Sequence, residues 1–387
     1  MIRYWNRNRA RLLAAPWIAA WALWLGTSLA FAEVPTPVRI GAIFSETGMA
    51  AEYNRPSIDA AVLAVEELNR RGGLLGTPIE LLILDNQSTP LGSKLAAEEA
   101  VARGVTAVVG AALSSQCFPI AQVLQEAKIP MITPIATHPQ VTLVGDYIFR
   151  MCFTDDFQGS QIARFAITDL RARKAVVLVN SSETYSSMLA ESFANTFQGQ
   201  GGKILWHGLY KGNAVDFSEL LNQIGRLNPD VVFVPGYARD SGLILKQALK
   251  VGIRTQFLGG DGWSPQLPTF AGKAADGAFY STHWHPALPS KENERLREVY
   301  RRKYGHGEYY APQVALTYDA MMLLADAIQR AGCRDRATIR EALANTRDFE
   351  GATGILTFDS NRNPVHRSLH IVQFADGHPH LFKTIAP

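Results

Sequence analysis

Two adjacent hydroxyl side chains, Ser114 and Ser115, follow an apolar run that ends in Val109-Gly110. Serine hydroxyls and the free backbone N–H groups at the start of a helix together form a site for an anion, and a carboxylate fits such a site. A serine at this position also serves as an ordinary helix N-cap. The residues leave both roles open, and the two roles are compatible.

A second polar loop follows the next apolar run, Met131-Ile132-Thr133, and contains Ile135-Ala136-Thr137. Thr137 offers a hydroxyl group and a backbone N–H group, and the backbone carbonyl of Ile135 can accept a hydrogen bond from an ammonium group. A plain connecting loop is the alternative interpretation.

An acidic residue and three tyrosines complete the candidate site. Asp261 could neutralise an ammonium group, although the sequence Gly-Asp-Gly around it is also a good turn. Tyr53, Tyr185 and Tyr237 follow predicted strands or begin predicted helices. Their rings could close over an apolar side chain or a cation, and each could equally be a packing residue.

The elements that must position these residues alternate along the chain. From Val38 onward, short apolar runs with strand character alternate with segments of helical periodicity, and the pattern restarts with a helix at Gln158. Such βα units predict a parallel sheet covered by helices on both faces, and the restart predicts a second one. The tail from Gly354 onward is predicted as β-structure. In two doubly wound α/β lobes, ligands bind at the carboxyl ends of the strands, where the polar residues above are expected.

The predicted organisation is a leader and two lobes joined by several crossings. The ranges are 1–32 for the leader, 33–155 with 286–352 for the N-terminal lobe, and 156–285 with 353–387 for the C-terminal lobe. The leader combines four Arg, an apolar stretch and Ala30-Phe31-Ala32, a pattern typical of a cleaved secretory signal. A retained membrane anchor is the alternative, because the apolar stretch is long enough to span a bilayer.

Charge and cysteine content exclude other classes of protein. Of the 38 basic residues, four lie in the leader, which leaves 34 against 35 acidic residues and no basic stripe for nucleic acid. Three cysteines are too few for a disulfide scaffold, although one pair could form in an oxidising compartment. We expect a monomeric chain with no cofactor, no metal ion and no nucleic-acid partner.

As a group, the motifs resemble the type I periplasmic binding proteins, specifically the Leu/Ile/Val-binding branch of ABC transporter proteins. The resemblance spans nearly the whole chain after the leader. Its segments are Val38-Arg39-Ile40-Gly41-Ala42, Asn69-Arg70-Arg71-Gly72-Gly73-Leu74-Leu75-Gly76, Val109-Gly110 with Ser114, Pro134-Ile135-Ala136-Thr137-His138-Pro139, Arg150 with Gln158-Gly159, Gly236-Tyr237, and Phe257-Leu258-Gly259-Gly260-Asp261-Gly262.

The resemblance implies a periplasmic protein that closes around an amino acid at a hinge and delivers it to permease subunits. It implies that Ser114 and Thr137 hold the ligand carboxylate, with Ser115 and Ala136 in the same two loops. The ammonium group would contact the Ile135 carbonyl, Thr137 and Asp261, and Tyr53, Tyr185 and Tyr237 would line the pocket. Asp261 stands where Glu is common in the branch, which also includes binders of amides, urea and aromatic acids, so the ligand stays open.

Two other functions compete with this one. An enzyme on a dinucleotide-binding fold needs a glycine-rich phosphate loop after the first strand, whereas Ser45-Glu46-Thr47-Gly48-Met49 contains neither G-x-G-x-x-G nor a P-loop lysine. His283 and His285 could suggest a metal ion, but no further ligand accompanies them in the sequence. A sensor of the same fold that binds an amide, urea or aromatic acid stays open.

Overall fold

The computed structural model describes residues 36–305 and 311–386, so the leader predicted at residues 1–32 lies outside the described residues. Over these two ranges, the chain forms two main β-sheets and one small two-stranded sheet. No helix in the described part of the chain is long and apolar enough to cross a membrane.

The first sheet is parallel and has helices on both faces. Its strands are β1 (Val38–Phe44), β2 (Ile79–Asp85), β3 (Ala107–Gly110), β4 (Met131–Thr133) and β5 (Ile148–Arg150). Their order in the sheet is β2-β1-β3-β4-β5. The surrounding helices are α1 (Ala51–Arg70), α2 (Pro90–Ala102), α3 (Ser114–Glu126), α9 (Lys291–Tyr304), α10 (Pro312–Ala331) and α11 (Arg336–Ala344).

Alternating side chains of β1 explain why this sheet is covered on both sides. Ile40 and Phe44 pack into one core with α1 and α10, whereas Ile43 packs into a second core with α2 and α3. All three side chains are fully buried. Because successive strand residues point to opposite faces, a continuous apolar run requires helices on both faces.

The second sheet has seven strands. They are β6 (Lys174–Asn180), β7 (Lys203–Tyr210), β8 (Val231–Val234), β9 (Gln256–Gly259), β10 (Phe279–Thr282), β13 (Leu369–Ala375) and β14 (His378–Ile385), in the order β14-β13-β10-β9-β8-β6-β7. Its helices are α4 (Asp155–Thr168), α5 (Thr184–Gly199), α6 (Ser218–Leu227), α7 (Ala238–Lys250) and α8 (Leu267–Ala271). The small sheet pairs β11 (Phe349–Gly351) with β12 (Gly354–Leu356).

The two-lobed α/β fold is confirmed, but the second sheet is mixed rather than parallel throughout. Strands β13 and β14 join its edge in antiparallel pairing. The turn between them contains Asp376 and Gly377, both with positive φ angles, 51° and 75°. Two consecutive positive φ angles suit a tight hairpin, which reverses the chain without a crossover helix.

The chain crosses between the two lobes three times. Cys152 packs in the core of the first sheet and Phe153 in a core of the second sheet. Trp284, just after β10, packs in the first core, and so does Phe358, whereas Leu369 packs in the second. The boundary predicted at residue 353 assigns Phe358 to the C-terminal lobe. Because Phe358 packs in the first core, we propose instead that the third crossing begins after Phe358.

Candidate ligand-binding site

The two loops with predicted donor groups lie against each other at the carboxyl edge of the first sheet. Ser114 is the first residue of α3, and its Oγ accepts a hydrogen bond of 3.3 Å from the backbone N–H of His138. Ser114, Ile135, Ala136 and Thr137 are all buried, with at most 4% of any of them exposed. The helix N-cap is Leu113, which has no capping side chain, so the serine hydroxyls do not cap α3.

Asp261 lies two residues after the end of β9 and is held by side chains of the second lobe. Its Oδ1 accepts hydrogen bonds from Gln158 Nε2 at 2.8 Å and from the Tyr185 hydroxyl at 3.0 Å. Its Oδ2 lies 3.0 Å from His283 Nε2. Asp261 is 3% exposed. Three protein side chains therefore fix the position of this carboxylate.

A second carboxylate, Asp155, was not identified from the sequence. It is the first residue of α4 and is fully buried, yet neither of its carboxylate oxygens has a hydrogen-bond partner among the described residues. Its backbone N–H donates to the carbonyl oxygen of Thr137 at 3.0 Å, which fixes it beside the second donor loop. Ionised carboxylates are rarely buried without a partner, because desolvation costs several kcal/mol.

The pKa of Asp155 is influenced by residues from both lobes. Burial, and secondly the nearby Asp261 carboxylate, raise the pKa of Asp155 well above its usual value. The Thr137 side chain opposes this shift in pKa, but its geometry falls short of a hydrogen bond to either oxygen. Asp155 is thus close to both Thr137 of the first lobe and Asp261 of the second. One feature of the sequence could have identified Asp155 as a site residue, namely its position at the first crossing between the lobes, three residues before Gln158.

The three predicted tyrosines form a continuous group. The ring of Tyr237 meets Tyr53 edge to face at 5.5 Å and stacks on Tyr185 at 5.3 Å. Tyr237 packs against cores of both lobes. Burial is the largest cause of the raised pKa of each hydroxyl, so all three are neutral donors at neutral pH. The structure therefore brings Tyr53 of the first lobe to the two tyrosines of the second.

Ser115 makes a contact that the sequence did not predict. Its Oγ donates a hydrogen bond of 2.9 Å to Glu183 Oε2, at the start of α5 in the other lobe. A ligand carboxylate at the start of α3 would have to share this hydroxyl with Glu183 or rely on Ser114 and backbone groups.

A cavity of about 530 Å³ opens between the lobes next to the tyrosines. Of the predicted residues, Tyr53 and Tyr237 line it, whereas Ser114, Thr137 and Asp261 do not. Leu113 and Gln116 from the first lobe, and Glu183 and Asp240 from the second, also form its wall. A volume in this range accommodates a small ligand.

His283 and His285 do not form a metal site. His283 contacts Asp261 and lies against Phe153, with ring centroids 3.7 Å apart. Within residues 36–305 and 311–386, no group of three or more metal-ligating side chains comes together. The three cysteines form no disulfide, and burial raises the pKa of the Cys117 and Cys152 thiols.

Two α/β lobes that enclose donors on one side and carboxylates on the other define a two-lobed ligand-binding protein. Residues 37–379 match the family model described as periplasmic binding protein, and the chain belongs to that family. It is 29% identical over 360 residues to the leucine-, isoleucine-, valine-, threonine- and alanine-binding protein of Pseudomonas aeruginosa, with 92% of each chain covered.

Solved structures agree with this assignment. The leucine binding protein LivK of Thermotoga maritima shares 34% identity at a TM-score of 0.86, covering 90% of this chain and 99% of that one. The branched-chain amino acid transporter substrate-binding protein LivJ of Streptococcus pneumoniae, in complex with isoleucine, shares 29% identity at a TM-score of 0.86, covering 91% and 100%. The predicted resemblance to the Leu/Ile/Val-binding branch is confirmed, and the chain is a substrate-binding protein and not an enzyme.

Proposed function

We propose that this protein captures an amino acid in the periplasm by hinge closure and delivers it to the permease subunits of an ABC importer. The proposal includes cleavage of the leader and action as a monomer. The relatives named for branched-chain amino acids support the ligand class. The buried carboxylate of Asp155, which lacks a hydrogen-bond partner among the described residues, is the observation that carries the proposal.

The polarity of the site matches the two ends of a free amino acid. Ser114 and Thr137 supply hydroxyl donors for the carboxylate, together with N–H groups at the start of α3. Asp155 and Asp261 supply negative charge for the ammonium group, and the Ile135 carbonyl supplies a further acceptor. In this assignment the ligand ammonium provides the hydrogen bonds that Asp155 lacks.

Closure follows from where these groups are attached. The first lobe carries Ser114 and Thr137, and the second carries Tyr185, Tyr237 and Asp261. A ligand that docks on the first lobe gains the second set of contacts only when the lobes meet. It therefore favours the closed form by the free energy of those extra contacts. A permease that recognises the closed form would then receive loaded protein.

A ligand screen tests the proposal directly. The mature protein is melted with each common L-amino acid, because a ligand that binds only the folded state raises the melting temperature. Calorimetry then compares the tightest ligand with its decarboxylated and deaminated analogues. We expect each analogue to bind at least about 30-fold more weakly, since each leaves a buried polar group without its partner. Equal binding of either analogue, or binding of no amino acid, would refute the proposal.

Delivery needs a separate test. Uptake of the labelled ligand into vesicles that contain the permease should depend on added binding protein. Strong ligand binding without stimulated uptake by any branched-chain-type permease would favour the sensor function instead.

A further inference from the structure

The cavity next to Tyr53 and Tyr237 has an acidic wall. Glu52, Glu183 and Asp240 line it, and among the described residues that line it Arg239 is the basic one. Arg239 Nη1 donates to the backbone carbonyl of Gly212 at 3.2 Å. The acidic side chains therefore outnumber the basic one where a ligand side chain would lie.

Glu183 is a carboxylate of this wall with few partners among the described residues. It is half-buried at the N-cap position of α5, but its side chain does not cap the helix. Among the described residues, one group donates a hydrogen bond to the Glu183 carboxylate: Ser115 Oγ, at 2.9 Å from Oε2. Within the part of the chain that the structure describes, Glu183 forms no salt bridge.

Asp240 strengthens the negative charge around Glu183. It accepts hydrogen bonds from the Tyr210 hydroxyl and, at 3.4 Å, from Asn180 Nδ2, so the protein itself holds its carboxylate. Burial raises the pKa of Glu183, and the Asp240 carboxylate adds to the rise. Two carboxylates that repel each other at a partly desolvated surface are stabilised by a cation between or beside them.

We propose that this cavity receives the ligand side chain and selects one that ends in a positively charged group, which pairs with Glu183. This inference rests on the proposed function, because it assumes that Asp155 and Asp261 hold the ammonium group. The side chain would then pass Tyr53 and Tyr237 and present its charged end to Glu183. An apolar side chain would instead desolvate Glu183 without giving it a partner.

Lysine and norleucine provide a matched pair for the test, since norleucine is lysine without the terminal amino group. Titration calorimetry measures both, together with arginine and leucine, on the mature protein and on Glu183→Gln. We expect the native protein to bind lysine or arginine at least about tenfold more tightly than norleucine. Glu183→Gln should reduce that preference by at least about tenfold.

Glu191→Gln is the control variant, because Glu191 is exposed on the same helix and is not among the residues that line this cavity. It should leave the preference unchanged. Norleucine or leucine binding as tightly as the basic amino acids, or a preference that survives Glu183→Gln, overturns the inference but leaves amino-acid binding intact. If none of the four amino acids binds, the inference fails, and the proposed function fails with it only when the screen of all common L-amino acids also finds no ligand.

Discussion

Ser115 of the first lobe donates a hydrogen bond of 2.9 Å to Glu183 of the second lobe. This bond exists only while the lobes are together, so it stabilises the closed form without a ligand. A hydrogen bond of this kind contributes about 1 kcal/mol, which corresponds to roughly a fivefold change in the ratio of closed to open molecules.

Ser115→Ala should therefore shift the ligand-free protein toward the open form. Small-angle X-ray scattering should show a larger radius of gyration for the variant than for the native chain. Ser187→Ala is the control, because among the described residues its exposed hydroxyl donates its hydrogen bond to the Glu183 carbonyl of the same lobe. A scattering profile that Ser115→Ala leaves unchanged would show that this bond does not influence closure.

Asp155→Asn should weaken amino-acid binding by about 2–5 kcal/mol, because the variant removes a buried charge that pairs with the ligand ammonium. The ligand-free variant should melt no lower than the native protein, since an unpartnered buried charge is lost. Calorimetry and thermal melting measure the two effects. Asp156→Asn, at the exposed neighbouring residue, removes a minor influence on the pKa of Asp155 and should change both quantities much less than Asp155→Asn does. Unchanged affinity in Asp155→Asn would remove Asp155 from the site.

The same carboxylate predicts how binding depends on pH. Because burial and Asp261 raise the pKa of Asp155, part of the ligand-free population carries a protonated Asp155 at pH values where an exposed Asp is ionised. Only the ionised form attracts an ammonium group, so affinity should rise with pH until Asp155 is fully ionised. Calorimetry over a pH series should show this rise in the native protein and a flatter profile in Asp155→Asn. Parallel profiles would contradict the assignment.

The buried carboxylate of Asp240 should make the stability of the folded protein depend on pH. Burial raises its pKa from 3.8 to about 6 in the folded protein. Between those values the folded protein holds a proton that the unfolded chain has released, so stability falls as pH rises through this window. From about pH 4 to about pH 7, the native chain should lose roughly 2–3 kcal/mol more stability than Asp240→Asn. Urea unfolding at both pH values measures this difference, and equal losses would be inconsistent with it.

Gly260 controls the position of the groups around Asp261. A Cβ atom added there would lie 2.5 Å from the Tyr185 hydroxyl oxygen and 2.6 Å from Gln158 Oε1. Both side chains would have to move, and both bind Asp261. Gly260→Ala should reduce ligand affinity by at least about tenfold. Gly225→Ala in α6, where a Cβ meets no atom within 4 Å, should have no effect on affinity. Native affinity in Gly260→Ala would show that these positions are not critical.

The sequence predicted those parts of the site that depend on local order. Ser114 and Thr137 follow strands of a parallel sheet. Because the carboxyl ends of parallel strands lie at the same edge of the sheet, these two positions come together independently of the rest of the fold. Asp155 and Glu183 were missed because each contacts a residue from a distant part of the chain, Thr137 and Ser115 respectively, which no local pattern reveals. Strands β5 and β10 were not predicted, whereas β4, which is as short as β5, was.

The three crossings between the lobes have a consequence for chirality. Three separate backbone segments resist twisting more than a single linker does, so the two edges approach each other along one bending path. Ser114 and Thr137 on one side and Asp155 and Asp261 on the other therefore meet in a fixed mutual orientation. The carboxylate, the ammonium group and the side chain of the ligand must all fit this arrangement at the same time. A D-amino acid that keeps both charged contacts would direct its side chain to a different place, so the site should bind L-amino acids more tightly than their D enantiomers.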